Sequence, residues 1–114
     1  MIINGIELEL DIFDADVAEV YEEALEKVRI DAKVDTGAKM SVVIKTQCNA
    51  VFDFFDEVFG EGTSEDVFGG KTNLMTCLKA FEEVVDNVAN QTKEAEQLSS
   101  KYSPNRAQRR TNKR

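Results

Sequence analysis

The run VFDFFDEVF at residues 51–59 constrains this chain more than any other segment. Four of its nine residues are Phe, and two more are Val. Extended toward the N-terminus, the apolar positions Met40, Val43, Ile44, Cys48, Val51, Phe52, Phe55 and Phe59 recur at steps of three and four. That is the period of an amphipathic helix, and it predicts one over about residues 38–59. Phe54 and Val58 widen the stripe past half the circumference. A helix apolar over that much of its surface sits at the centre of a core or in an interface. Gly60-Glu61-Gly62 closes it.

The flanking sequence offers elements to surround such a helix. Val17, Val20, Tyr21, Ala24, Leu25, Val28 and Ala32 keep helical spacing, with Glu19, Glu22, Glu23 and Glu26 opposite. A helix is expected over about 15–34, with Asp14 or Asp16 as its N-cap. Thr63-Ser64-Glu65-Asp66 starts a short turn of helix over about 64–68, ended by Gly69-Gly70. From Thr72 or Asn73, the positions Leu74, Cys77, Leu78, Phe81, Val84, Val85 and Val88 predict a last helix over about 72–98. Its apolar pattern thins after Val88 to Ala95, Leu98 and Tyr102. Pro104 is expected to stop it. At the N-terminus Asn4-Gly5 is the preferred pair for a two-residue type I′ turn, and Ile6, Leu8 and Leu10 alternate with Glu7 and Glu9. A β-hairpin is expected over about residues 1–11. The predicted fold is mainly α, of the α+β kind: a short hairpin and a three- to four-helix domain over 1–100, then a disordered basic tail over 101–114.

Charge divides the chain in the same place. From Lys101 onward there are six bases and no acids, whereas residues 1–100 hold twenty-two acids against eight bases. A body this acidic repels nucleic acid at long range, which disfavours it as the main partner. The phenylalanines could stack bases only with interleaved cations, and Asp53, Asp56 and Glu57 stand among them instead. The tail itself, through Arg106, Arg109 and Arg110, leaves a nucleic-acid-binding accessory role as the alternative. No run reaches the roughly 18 apolar residues of a membrane span, and no secretory leader is expected at MIINGIELEL. Cys48 and Cys77 lie inside apolar patterns and read as reduced, buried thiols of a cytosolic protein.

Catalytic motifs are sparse. With no histidine, the commonest general base and zinc ligand are missing, and two cysteines make a poor metal site. Gly69-Gly70-Lys71-Thr72 offers the end of a phosphate loop, but the position needing its first glycine is Glu65. Asp35-Thr36-Gly37-Ala38, between apolar residues, resembles the signature of retroviral-type aspartic proteases, with Asp35 as the catalytic carboxylate. That fold is almost entirely strand, while helical periodicity flanks the motif here. An interhelical turn with Gly37 at positive φ as a helix C-cap fits better. No enzymatic activity, cofactor or metal is expected.

Three segments carry a further likeness: MIINGIELELDIFDAD, QCNAVFDFFDEVFGEGTSEDVFGGKTNLMTCLKAFEEVVDNV and NRAQRR. Together they cover well over half the chain, and they resemble a family of small tail assembly chaperones from long-tailed (siphovirus) phages of Gram-positive bacteria. The resemblance implies a non-catalytic protein that coats the tape measure protein in the host cytoplasm until the tail tube polymerises around it. It also implies absence from the mature virion, self-association, and a longer frameshifted version as partner, with the tail tube protein as another. Ile6 and Leu8 of the hairpin could add strands between subunits, Phe52, Phe55 and Phe59 could hold amphipathic helices of the client, and Arg106, Arg109 and Arg110 could reach acidic surfaces. The same aromatics equally suit an intramolecular core, and at this level both readings stand.

Overall fold

The computed structural model describes residues 1–102. Within them two short strands, β1 (Ile2–Ile3) and β2 (Ile6–Glu7), precede four helices: α1 (Ala15–Asp31), α2 (Met40–Phe59), α3 (Thr63–Phe68) and α4 (Leu74–Tyr102). The expected mainly helical fold with an N-terminal hairpin is therefore observed. The tail with Arg106, Arg109, Arg110 and the proposed stop at Pro104 lies outside the described residues.

The hairpin turns where Asn4-Gly5 predicts. Asn4 has φ 51° and Gly5 φ 83°, the pair of positive values that a type I′ turn requires. Ile3 pairs with Ile6 and Ile2 with Glu7. Beyond them Leu8 N–H donates to the Met1 carbonyl at 2.8 Å, and the Met1 amino group to the Leu8 carbonyl at 3.0 Å. The ladder is shorter than the alternation through Leu10 suggests. Ile3, Leu8 and Leu10 turn inward and are buried.

α1 starts at Asp14, whose Oδ1 accepts from Asp16 N–H (3.0 Å) and Val17 N–H (3.3 Å). It ends at Asp31, three residues short of the expected boundary, with Ala32 as C-cap in ordinary αR geometry. Gly37 does have positive φ, at 87°, but not as a helix cap. It serves a separate turn in which Ala38 N–H donates to the Asp35 carbonyl. α2 accordingly starts at Met40, two residues later than the periodicity indicates.

The helices pack around α2. Gln47 Nε2 reaches the Ala32 carbonyl, and Tyr21 lies edge-on to Phe54, so α1 and α2 are antiparallel. The Cys48–Cys77 and Phe54–Phe81 contacts advance together, so α4 runs in the same general direction as α2. The return is made by α3, whose Phe68 packs on Phe55. Phe54 and Phe55 are 1% and 0% exposed and lie at the centre of this arrangement. Burying such a side chain contributes on the order of 2–3 kcal/mol, with up to about 1 more from each T-shaped ring pair. Phe54 is thus the middle of the stripe, not a residue that merely widens it. Val20, Met40 and Leu78, placed on buried stripes by spacing, are instead exposed. Cys48 and Cys77 are free and fully buried, as expected, and burial beside Cys48 pushes the Cys77 thiol up to about 12.

Candidate functional site

The residues expected to meet a partner divide by burial. Phe55 has no exposed surface and Leu8 only 9%, so both belong to the core. A client could touch them only by opening the fold. Phe52, Phe59 and Ile6 are half-buried and pack against that core while keeping some surface. Phe52 lies against Phe68 at 5.1 Å between ring centres, and Phe59 against Phe55 at 5.6 Å. The aromatic run is therefore mostly internal. The physical reason is that α1, α3 and α4 each supply an aromatic ring to cover it.

A different surface remains open. Between α1 and α4 lies a groove of about 540 Å³ lined by Glu22, Leu25, Glu26, Val28, Arg29 and Phe81. Its floor is Leu25, Val28 and the outer part of Phe81. Its rim is charged, and there Arg29 Nη2 donates to Glu26 Oε1 at 2.7 Å. That hydrogen bond holds the Glu26 carboxyl below its ordinary range and lifts Arg29. Phe81 packs edge-on against Phe54 at 5.0 Å between ring centres and keeps part of its surface toward the groove. Periodicity marked these three apolar residues as core. Their partial exposure depends on the spacing of α1 and α4, which no sequence pattern encodes.

Two polar clusters position the elements. Gln91 of α4 uses its carboxamide as a peptide would: Nε2 donates to the Leu10 carbonyl at 2.8 Å, and Oε1 accepts from Ile12 N–H at 3.2 Å. Asn87 Oδ1 accepts a second proton from Gln91 Nε2 at 2.6 Å. The segment leaving the hairpin thus gains a side-chain substitute for a strand partner. The visible hint is a glutamine in the apolar register of α4. Asp56 of α2 does similar work at α3. Its Oδ1 accepts from Ser64 N–H (2.8 Å) and its Oδ2 from Ser64 Oγ (3.0 Å), so α3 is capped by a residue from another helix. On α4 the cap is local: Asn73 Oδ1 accepts from Thr76 N–H at 3.0 Å.

Asp35 lies in an exposed turn between two helices, a setting unlike the strand-borne loop of the protease it resembles. Among the described residues no group of three or more His, Cys, Asp or Glu could hold a metal ion. Asp53 is exposed on α2, and slight desolvation, then the nearby Asp31, Asp56 and Glu57, push its carboxyl above its ordinary range, with Lys27 opposing. Among the described residues no helix is long and apolar enough to cross a membrane.

Residues 4–113 match the model of a family of unknown function (DUF6673), and the chain belongs to that family. No curated protein and no solved structure matches it.

Proposed function

We propose that this member of the DUF6673 family is a non-catalytic tail assembly chaperone of a siphovirus, binding and solubilising the tape measure protein in the host cytoplasm. The observation that carries the reading is the resemblance of residues 1–16, 47–88 and 105–110 to such chaperones. The open groove over Leu25, Val28 and Phe81 gives that role a place to act. A tape measure protein is long and helical, and its unassembled helices expose apolar stripes. An amphipathic helix laid into the groove would bury its stripe on those three residues and meet charged groups at the rim. In this reading the aromatic helix holds the domain together and the α1–α4 surface faces the client. The longer frameshifted version and the tail tube protein are further partners.

Co-expression with a tape measure fragment tests this. The expected result is a soluble complex recovered by affinity purification, with recovery falling at least tenfold for Leu25→Gln/Val28→Gln. Circular dichroism of that variant must match the parent. A fragment that precipitates equally with and without the chain overturns the proposal.

A further inference from the structure

Among the described residues, six of the ten exposed large apolar side chains gather at one end of the helical bundle: Ile30, Val34, Met40, Val42, Met75 and Leu78. The Gln47–Ala32 hydrogen bond sets the close of α1 beside the first half of α2, and the Cys48–Cys77 contact sets the start of α4 there too. Four residues before Cys48 is Ile44, three before Cys77 is Leu74, and both are half-buried against the core. One further turn back, Met40 keeps the same register but lies beyond the start of α4, and it is 77% exposed. On α4, Met75 is 60% exposed and Leu78 41%. Met40 and Met75 are the only methionines besides Met1. An unbranched, polarizable methionine adapts its shape to an apolar partner.

Charge identifies what fits there. Residues 30–46 and 71–79 hold five bases and two acids, a net of +3, whereas the rest of residues 1–100 holds twenty acids and three bases, a net of −17. Lys33, Lys39, Lys45, Lys71 and Lys79 are exposed, and among the described residues none of them stands in an ion pair. Neither α2 nor α4 has an acid in its first turn. On α2 the acids begin at Asp53, about 20 Å along the helix from Met40 and roughly two screening lengths at physiological salt. This end is thus a basic, apolar surface on an acidic molecule. A helix that presents acids beside an apolar stripe complements it. Nucleic acid or a lipid surface would extend past the patch and meet the acidic remainder. A second copy matches it poorly. The other four exposed apolar residues, Ile2, Phe13, Val20 and Leu98, lie on four separate segments, and the α1 acids stand opposite the buried Tyr21 and Ala24.

We propose that this end of the bundle, with Met40, Met75 and Leu78 as its apolar floor and Lys39, Lys45 and Lys79 at its rim, docks an acidic amphipathic helix of a second protein. None of these residues lines the α1–α4 groove, so the proposal stands independently of the client reading.

Fluorescence anisotropy with the purified full chain tests it. The probe is a labelled peptide of about 18 residues, five helical turns, with a leucine stripe flanked by glutamates. Saturable binding is expected at about 150 mM salt, several-fold weaker at about 500 mM. A peptide with glutamine in place of each glutamate should bind at least tenfold more weakly. Lys39→Glu/Lys45→Glu and Met40→Gln/Met75→Gln should each weaken the acidic peptide at least tenfold, with circular dichroism unchanged because all four side chains are exposed. No binding, equal or tighter binding of the neutral peptide, or indifference to either double variant overturns the proposal. So does an equal loss in Leu25→Gln/Val28→Gln, which would seat the peptide in the groove. Co-sedimentation with phosphatidylglycerol vesicles, or self-association of the chain, abolished by Lys39→Glu/Lys45→Glu would overturn it in favour of lipid or of a second copy.

Discussion

The two halves of α4 share one register and meet opposite fates. In the first, Cys77, Ala80 and Val84 are sealed against α2 and its aromatic rings. In the second, Leu98 at the equivalent step stands in solvent. The comparison teaches that helical periodicity specifies a face and is silent about what covers it. Within residues 74–88 the cover is intramolecular. The groove over Phe81 and the seam at Leu98 are the places where the same periodicity outruns the chain's own capacity to bury it.

The comparison can be broken hardest through the partner of the first half. Phe54 packs edge-on against Phe81 at 5.0 Å. Phe54→Ala is expected to cost about 3–5 kcal/mol by denaturant unfolding, enough to unfold a marginal domain. A cost below about 1 kcal/mol would mean that the proximal half is not held as described. Next comes the direct contrast of the two halves. Val84→Ala should cost about 2 kcal/mol and Leu98→Ala no more than about 0.5 kcal/mol in the monomer. Equal losses would erase the distinction between them.

Gln91 marks the boundary, and Gln91→Ala sharpens it. Removing the carboxamide leaves the Leu10 carbonyl and Ile12 N–H without their described partner, at a cost of about 1 kcal/mol. Amide exchange should accelerate at Ile12 well before it does in α2. Unchanged exchange would show that water replaces the side chain without loss. The smallest effect belongs to Asp53, away from α4. Its carboxyl is raised in the fold, so ionising it costs stability; the penalty is absent below the ordinary aspartate value and complete above the raised one. Asp53→Asn should therefore stabilise slightly at pH 7, by no more than about 0.5 kcal/mol, with the gain disappearing as pH falls. A gain that grows toward low pH has the wrong sign for this origin.

Much of the secondary structure was legible because its signals are local. Asn4-Gly5 needs only its own two positive φ angles, Asp14 only the N–H groups two and three residues on, and Asn73 only Thr76. The misplaced boundaries are the end of α1 and the start of α2, on either side of the Asp35–Ala38 turn, and what no local signal carried are the contacts made by distant groups. Asp56 caps α3 from another helix, and Gln91 stands in for a strand. The candidate site was less legible. Phe55 and Phe59 share one helical face and differ in burial, since only Phe55 is closed over by Phe68, a residue thirteen positions on. Leu25, Val28 and Phe81 carried no signal apart from any other core position.

The sequence by itself determined the helices, the hairpin turn, and the acidic body with its basic end. Each rests on spacing, local hydrogen bonding or composition, which act over a few residues or over the whole chain without regard to its path. The tertiary structure alone decided which apolar face is sealed and which is open. Burial depends on the distance between elements far apart in sequence. Here that distance closes over Phe54 and Phe55 and leaves Phe81 and Leu98 partly in solvent.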